Sequence, residues 1–242
     1  MRILVISDIH ANLTAFQTVL EHSAGEWDKV WFLGDLVGYG PDPNECVALL
    51  RELDVVALSG NHDWAVLGRI DIKTFNRDAR RAIEWTRAAM NQEGMAYLET
   101  LPPKIPGEQF TLAHASPRHP VWEYILDQAT ASVNFPFFES AYCLVGHTHT
   151  PVIFELVDNA RVSVHAPRYG QSVGLNGSRL IINPGSVGQP RDSDPRASYG
   201  LLDSETLSWE YRRVAYDVEA VQERMRARQL PERLVNRLSF GW

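Results

Sequence analysis

The sequence lacks several features that define specialised classes of protein. It has only two cysteines, Cys46 and Cys143, in no CxxC pair, which disfavours a disulfide framework and a cysteine-type zinc site. Its 23 basic residues are outnumbered by 30 acidic ones, and a net charge of −7 argues against generic nucleic-acid binding. No apolar run approaches the roughly 20 residues of a membrane span, and the first one ends at Asp8. We therefore expect a cytoplasmic protein without signal peptide or membrane contact, whose thiols are reduced and buried.

The remaining composition is that of an ordinary globular protein. Hydrophobic residues make up 45% and charged residues 22% of the 242 residues. Neither an internal repeat nor a Gly/Ser-rich or Pro-rich linker divides the chain. We expect a single domain over residues 1–242, which is long enough to bury one large core.

The first part of the chain alternates strand and helix patterns. Short apolar runs, rich in β-branched or aromatic residues, predict buried strands at 3–6, 30–33, 55–58, 110–113 and 142–145. Helices are predicted after Asn12, which can cap the first turn, after Asp42, which with Pro43 and Glu45 resembles a capping box, and over 76–90. This alternation predicts a largely parallel sheet.

The second part has strand patterns joined by short turns. They fall at 152–156, 161–165, 180–183, 199–202 and 209–214, and an amphipathic helix is predicted over 218–228. We interpret these strands as a second, mostly antiparallel sheet packed on the first. The predicted fold class is α/β, with two sheets flanked by helices.

Polar residues of metal-binding type directly follow each of the first five predicted strands. Ligands in open α/β sheets bind beyond the carboxyl ends of the strands, so we expect these side chains to meet. Imidazole and carboxylate groups together suit divalent ions such as zinc, iron, nickel or manganese. One such motif is common by chance, but five in order are not. The motifs are Asp8-x-His10, Gly34-Asp35, Gly60-Asn61-His62-Asp63, His114 and Gly146-His147-Thr148-His149.

This ordered set resembles the calcineurin-like metallophosphoesterase superfamily, and the stretch 183–188 with Arg191 resembles its compact bacterial phosphodiesterase branch. The resemblance implies a four-layer α-β-β-α sandwich of two mixed sheets flanked by helices. It also implies two metal ions that share Asp35. The implied ligands are Asp8, His10, Asp35 and His149 for the first ion, and Asp35, Asn61, His114 and His147 for the second.

The resemblance further implies a reaction. A hydroxide activated by both ions would attack a small phosphoester, most simply a phosphodiester. The first expectation for the ions is Mn²⁺, and the alternatives are Fe, Ni, Co and Zn. His62 would be the general acid, and Asp63 would orient it and favour its protonated form. Two divalent ions, two carboxylate ligands and a hydroxide leave a charge of about +1, so an anionic substrate is attracted despite the acidic chain.

Several polar residues have two interpretations. Asn12 either contacts substrate or only caps a helix. Arg191 either binds phosphate or forms a surface salt bridge. Tyr39 lines the pocket rim or packs its loop. The other histidines are expected to be structural or to lie in a surface loop: His22, His119 and His165.

Two alternative functions stay open. The first is hydrolysis of dinucleoside polyphosphates or of phosphoserine and phosphothreonine in proteins, which are activities of superfamily relatives. Those relatives carry arginines around the Gly-Asn-His motif, whereas the nearest basic residue here is Arg69. The second is a non-catalytic metal-binding scaffold, but scaffolds of this superfamily lose the catalytic histidine, and His62 is present.

Overall fold

The computed structural model describes residues 1–158, 161–175 and 177–242. Its strands are β1 (Arg2–Ile6), β2 (Lys29–Phe32), β3 (Val55–Ala57), β4 (Lys104–Ile105), β5 (Phe110–Ala113), β6 (Tyr142–Leu144), β7 (Val152–Leu156), β8 (Val162–His165), β9 (Ser172–Gly174), β10 (Arg179–Asn183), β11 (Ala197–Asp203) and β12 (Ser208–Val214). Its α-helices are α1 (Leu13–His22), α2 (Pro43–Arg51), α3 (Asn61–Val66), α4 (Arg77–Ala89), α5 (Gln92–Thr100), α6 (Gln128–Asn134), α7 (Val218–Ala227) and α8 (Glu232–Phe240).

The strands form two mixed sheets of six, as expected. The first has the order β3-β2-β1-β11-β12-β9, and the second has the order β4-β5-β6-β10-β7-β8. In the first sheet, β1, β2 and β3 run parallel and β11 pairs antiparallel to β1. In the second, β5, β6 and β10 run parallel and β7 is antiparallel to β10. The expected division into an early parallel and a late antiparallel sheet is wrong, because late strands join early ones in both sheets.

Alternating side chains of the strands build separate hydrophobic cores on the two faces of each sheet. In β1, Ile3 and Val5 point between the sheets, where they join Trp209, while Leu4 and Ile6 point towards the helices. Helices α1, α2, α4, α5, α7 and α8 contribute to the core on the outer face of the first sheet. Helix α6 packs through Ala131 on the outer face of the second sheet. The result is the expected helix–sheet–sheet–helix order of layers.

The predicted helix starts are correct in position but differ in how they are stabilised. Asn12 caps α1 by accepting a hydrogen bond from the Ala15 N–H at 3.1 Å. Asp42 stands at the N-cap of α2 and Pro43 begins the helix, but the expected capping hydrogen bond is absent. The Asp42 carboxylate instead pairs with Arg224 of α7 at 3.0 Å. A guanidinium offers a stronger, charge-assisted hydrogen bond than a backbone N–H does.

Four α-helices escaped the sequence analysis: α3, α5, α6 and α8. Helix α8 buries Leu234, Val235 and Leu238 and ends at Gly241, which has the left-handed conformation common after a helix. It packs against α7 and brings a further arginine, Arg237, towards the ends of the strands. Among the described residues, no helix combines the length and the apolar character needed to cross a membrane.

Candidate metal centre

The polar turns after strands of both sheets converge at one place. Each of the seven expected ligand residues is at most 2% exposed. The first sheet contributes those after β1, β2 and β3, and the second those after β5 and β6. They are Asp8, His10, Asp35 and Asn61 from the first sheet, and His114, His147 and His149 from the second.

The possible ligand atoms form two groups that share one carboxylate. Asp8, His10, Asp35 and His149 place one ligand atom each within 4.8 Å of one another, and so do Asp35, His114 and His147. The Asp35 Oδ2 atom lies 3.6 Å from His10 Nε2 and 3.5 Å from His114 Nε2. Asn61 adjoins the second group, with its Oδ1 atom 3.2 Å from His114 Nε2. The groups have the composition expected for two ions.

Backbone carbonyl groups fix how the histidines face the site. A carbonyl oxygen can only accept, so each hydrogen bond puts the ring proton on Nδ1 and leaves the Nε2 lone pair for the site. The Nε2 atoms of His10 and His149 lie 3.1 Å apart, and a cation bound by both lone pairs would stabilise this approach. The Nδ1 donors are His10 to Val37 at 3.2 Å, His114 to Leu33 at 2.8 Å and His149 to Gln189 at 2.5 Å.

Two buried atoms of the expected ligand residues lack any hydrogen-bond partner in the described structure, Asp8 Oδ1 and His147 Nε2. Burial raises the pKa of Asp8 to about 7, so its ionised form requires a positive charge nearby. Burial lowers the pKa of His147 well below the usual value, which leaves a neutral ring with a free lone pair. Unpaired buried acceptors are costly, and a bound cation would satisfy both.

His114 shows the same demand for positive charge. Burial opposes its protonated form, but the Asp35 and Asp8 carboxylates outweigh burial and raise the pKa of His114 to about 9. A proton on this ring compensates part of the negative charge of the carboxylates, and a divalent ion would compensate more of it. The donor set of imidazole, carboxylate and amide oxygen therefore fits divalent ions of borderline or hard character.

The turns that carry the ligands are strained. Left-handed backbone costs a non-glycine residue roughly 1–2 kcal/mol, and such strain collects at functional sites. It is retained here because the turns aim side chains from successive strands at one point. The residues concerned and their φ angles are Asp8 (53°), His10 (49°), Asp35 (57°), His147 (65°) and His149 (60°).

Asp63 has a different role from the one expected. Its carboxylate joins the turn after β2 to the start of α3 and does not hold the His62 ring, whose Nδ1 atom has no partner in the described residues. Burial lowers the pKa of His62 to about 4, so the protonated form is not favoured by its surroundings either. The Asp63 oxygens accept from the backbone N–H groups of Asp35 (3.0 Å), Leu36 (3.3 Å), Val37 (3.1 Å) and Gly60 (2.9 Å).

His62 nevertheless lies at the centre. Its backbone N–H donates to Asp35 Oδ1 at 2.8 Å. Its ring centroid is 4.9 Å from that of His10 and 4.2 Å from that of Tyr39. Tyr39, only 7% exposed, also packs 4.7 Å from the His10 ring, so it lines the site and packs its loop at once.

The two expected substrate-binding residues differ in outcome. Asn12 is 2% exposed, and besides capping α1 its amide donates to the Gly188 carbonyl at 2.9 Å. These contacts favour a structural role, and contact with substrate stays a prediction. Arg191 lies 5.8 Å from the Tyr39 ring centroid and donates to Gln189 Oε1 at 3.0 Å. The surface salt bridge considered for Arg191 is not formed with any described carboxylate.

The structure adds aromatic residues that sequence reasoning missed. The Tyr124 ring lies 3.9 Å from the His147 ring and is 45% exposed. Trp122, 40% exposed, packs on Phe75, which in turn packs on His62. These residues carry no motif, and only the loop between β5 and α6 brings two of them to the site. The remaining histidines behave as expected: His119 is exposed, His22 contacts Tyr199 and His165 pairs with Glu155.

Fold and site together define a metal-dependent class of phosphoesterase, and comparison with known proteins agrees. The model of the calcineurin-like phosphoesterase superfamily domain matches residues 1–207, so the chain belongs to this superfamily, and this membership implies a phosphoesterase hydrolase.

Individual relatives cover the chain to different extents. The crystal structure of a metallophosphoesterase from Sphaerobacter thermophilus superposes with a TM-score of 0.92 at 46% identity, covering 100% of this chain and 99% of that one. An uncharacterized protein of Methanocaldococcus jannaschii is 38% identical over 99% of this chain and 98% of its own. A symmetrical bis(5′-nucleosyl)-tetraphosphatase of Thioalkalivibrio sulfidiphilus is 31% identical over 54% of this chain and 51% of its own.

Proposed function

We propose that this protein hydrolyses phosphodiesters by means of two bound divalent metal ions, with Mn²⁺ as the first expectation. The observation that carries the proposal is the pair of buried ligand groups that share Asp35. Asp8, His10, Asp35 and His149 would hold one ion, and Asp35, Asn61, His114 and His147 the other. When bound, the ions would lower the pKa of a water molecule and neutralise charge on the phosphate.

In this proposal His62 is the general acid. Hydrolysis places the OH of water on phosphorus, breaks one P–O bond and transfers a proton to the departing oxygen. The buried His62 ring, neutral on its own, would gain that proton when the anionic substrate binds beside it, since a nearby negative charge raises the pKa of an imidazole. Asp63 would be a positioning residue that fixes the backbone of Asp35 and the start of α3.

A diester is favoured over a monoester by the rim of the site. Tyr124 offers a partly exposed aromatic surface against His147, Trp122 offers one through Phe75, which packs on His62, and Tyr39 lies beside His10. Two arms of a diester would find aromatic surface near both ligand groups, and aromatic contacts are worth roughly 0.5–1.5 kcal/mol each. We expect bis-aryl phosphate to be hydrolysed at least as fast as the aryl monoester.

The decisive experiment starts from protein stripped of metal. Turnover of bis-aryl and aryl phosphates is measured after addition of Mn²⁺, Fe²⁺, Co²⁺, Ni²⁺ or Zn²⁺. A general preference for monoesters across several leaving groups would indicate a phosphatase instead. Absence of metal-dependent turnover of any phosphate ester would leave a non-catalytic scaffold.

The role of His62 is tested separately. The His62→Ala variant should retain both ions and lose roughly 10²-fold or more in kcat with a poor leaving group. The loss should shrink with an activated leaving group, which departs without a proton. Wild-type turnover of both substrates would refute the acid role, and loss of metal would make His62 a ligand.

Hydrolysis of dinucleoside polyphosphates is the second candidate. It is favoured by the partial match to bis(5′-nucleosyl)-tetraphosphatases, which act on such substrates by their names. The nearest arginine after the Gly-Asn-His motif does not support it, because Arg69 lies over Trp64 and donates to the Glu99 carbonyl.

We propose the cytoplasm as the location, since Cys46 and Cys143 are both buried and free.

A further inference from the structure

Two arginines beside the ligand groups are held by the same neutral side chain. Arg191 lies in the loop between β10 and β11, and Arg237 lies on α8. Gln189 Oε1 accepts a hydrogen bond from Arg191 Nη2 and another from Arg237 Nη1, each 3.0 Å long. The backbone oxygen of Gln189 accepts from His149 Nδ1, so the arginine pair adjoins a proposed metal ligand.

Neither arginine of this pair forms a direct ion pair within the described residues. No carboxylate lies at ion-pair distance from either guanidinium, although other arginines of the region have one: Arg213 pairs with Asp192 and Arg224 with Asp42. The Nε atoms of Arg191 and Arg237 are buried and lack a partner in the part of the chain that the structure describes. Burial and the charge of Arg191 lower the pKa of Arg237.

Two like charges that are partly removed from water raise the free energy of the protein unless an anion binds to both of them. An amide oxygen satisfies only one N–H of each guanidinium, and each guanidinium has five. The free N–H groups suit the oxygens of a phosphate, which a planar guanidinium binds by two parallel hydrogen bonds.

The pair lies on a defined side of the site. Arg191 is 5.8 Å from the Tyr39 ring centroid, and Tyr39 packs on His10 and His62. Tyr124 lies against His147, in the other ligand group. A substrate at the centre therefore meets cationic side chains near His10 and an exposed aromatic ring beside His147.

We propose that Arg191 and Arg237 bind a second phosphate group of the substrate, next to the phosphate that is hydrolysed. This rests on the proposed phosphoesterase function and names its substrate class: an organic ester with two or more phosphate groups, such as a nucleoside polyphosphate. The two guanidiniums add a charge of +2 outside the metal groups, which one diester phosphate of charge −1 leaves unused.

The experiment compares two esters that release the same phenol. One is the p-nitrophenyl ester of a nucleoside 5′-monophosphate, and the other is the γ-p-nitrophenyl ester of the corresponding triphosphate. They differ only in the phosphates between the nucleoside and the reacting phosphorus. The wild type, with metal supplied, should have the higher kcat/KM with the triphosphate ester.

The variants assign this preference to the pair. Arg237→Gln and Arg191→Gln should each lower the ratio of kcat/KM for the two esters roughly 10- to 100-fold, the value of a charge-assisted hydrogen bond. Arg237→Lys, which keeps the charge, should recover part of the ratio. Arg226→Gln is the matched control, because Arg226 is exposed, pairs with Glu232 and lies outside the site. Metal content and melting temperature are measured on every variant.

The outcomes separate this inference from the proposed function. An unchanged ratio in both glutamine variants overturns the second-phosphate site while hydrolysis itself stands. An equal loss of kcat/KM for both esters also overturns it, and indicates instead that the pair supports His149 or the reacting phosphate. No turnover of either ester by the metal-loaded wild type contradicts the proposed function and removes the basis of the inference.

Discussion

Adding a single methyl group at Gly60 should displace the carboxylate that both ligand groups share. A Cβ atom at this position would lie 2.0 Å from Asp35 Oδ1 and 2.6 Å from Asp35 Cγ. An ordinary contact is roughly 3.5 Å, so the two groups would have to separate by about 1.5 Å. Metal–ligand distances tolerate only about 0.2 Å. The backbone itself is no obstacle, because Gly60 has an extended conformation (φ −109°, ψ −173°) that alanine adopts freely.

We therefore expect Gly60→Ala to lower the affinity for both ions by about 100-fold or more, since displacement of groups that only support the ligands already lowers metal affinity roughly 10- to 100-fold. The assay is elemental analysis after dialysis against graded chelator, with far-ultraviolet circular dichroism to confirm folding. Gly68→Ala is the control: it has φ +77° and no atom within 4 Å of the added methyl, so it costs about 1 kcal/mol of stability without touching the site. Two ions held with wild-type affinity in folded Gly60→Ala would refute the reasoning, and loss of one ion alone would show that Asp35 serves only one.

Three further predictions use single residues. Asp35→Asn keeps the shape but not the charge and should lose both ions together; two tightly held ions, counted by elemental analysis, would contradict a shared ligand. Asp63→Ala leaves four backbone N–H groups without their acceptor and should lower the free energy of unfolding by about 3 kcal/mol or more in denaturant titration, with Asp63→Asn milder; a loss below 1 kcal/mol would argue against this role. Burial opposes ionisation of Glu123, but hydrogen bonds from Arg118 and Asn134 outweigh it and lower its pKa to about 2. Its contribution to stability is thus complete above pH 4.5 and lost as the pH falls towards 2, so thermal unfolding of Glu123→Gln should depend less on pH over that range; identical profiles would exclude the effect.

The ligand set could be predicted because it depends on local order along the chain. A short apolar strand followed at once by a polar turn fixes where a side chain such as Asp8 or His114 emerges, whichever strand lies next to it. Parallel strands then bring these turns to one edge. Which strands pair was beyond this reasoning, since β10 pairs with β6 and β11 with β1 through contacts that no local pattern encodes.

The remaining errors concern side chains whose partners are far away in sequence. Asp42 has the sequence pattern of a helix cap, but its carboxylate forms an ion pair with Arg224, 182 positions later. Asp63 stands next to His62 in the sequence, yet its oxygens bond across to the turn after β2. Arg237 could not be assigned to the site, because the helix that carries it was not predicted.

The division of the ligands between the two sheets has a mechanical consequence. Among the described residues, no strand of one sheet pairs with a strand of the other, and the sheets meet through side-chain packing. Each proposed ion would join turns from both, and the first would connect residues as distant as His10 and His149, 139 positions apart. An ion in this position is a cross-link that closes a long loop, as a disulfide does in secreted proteins. The two cysteines of the chain are both free. The metal centre would then be the cross-link that prevents one sheet from sliding over the other.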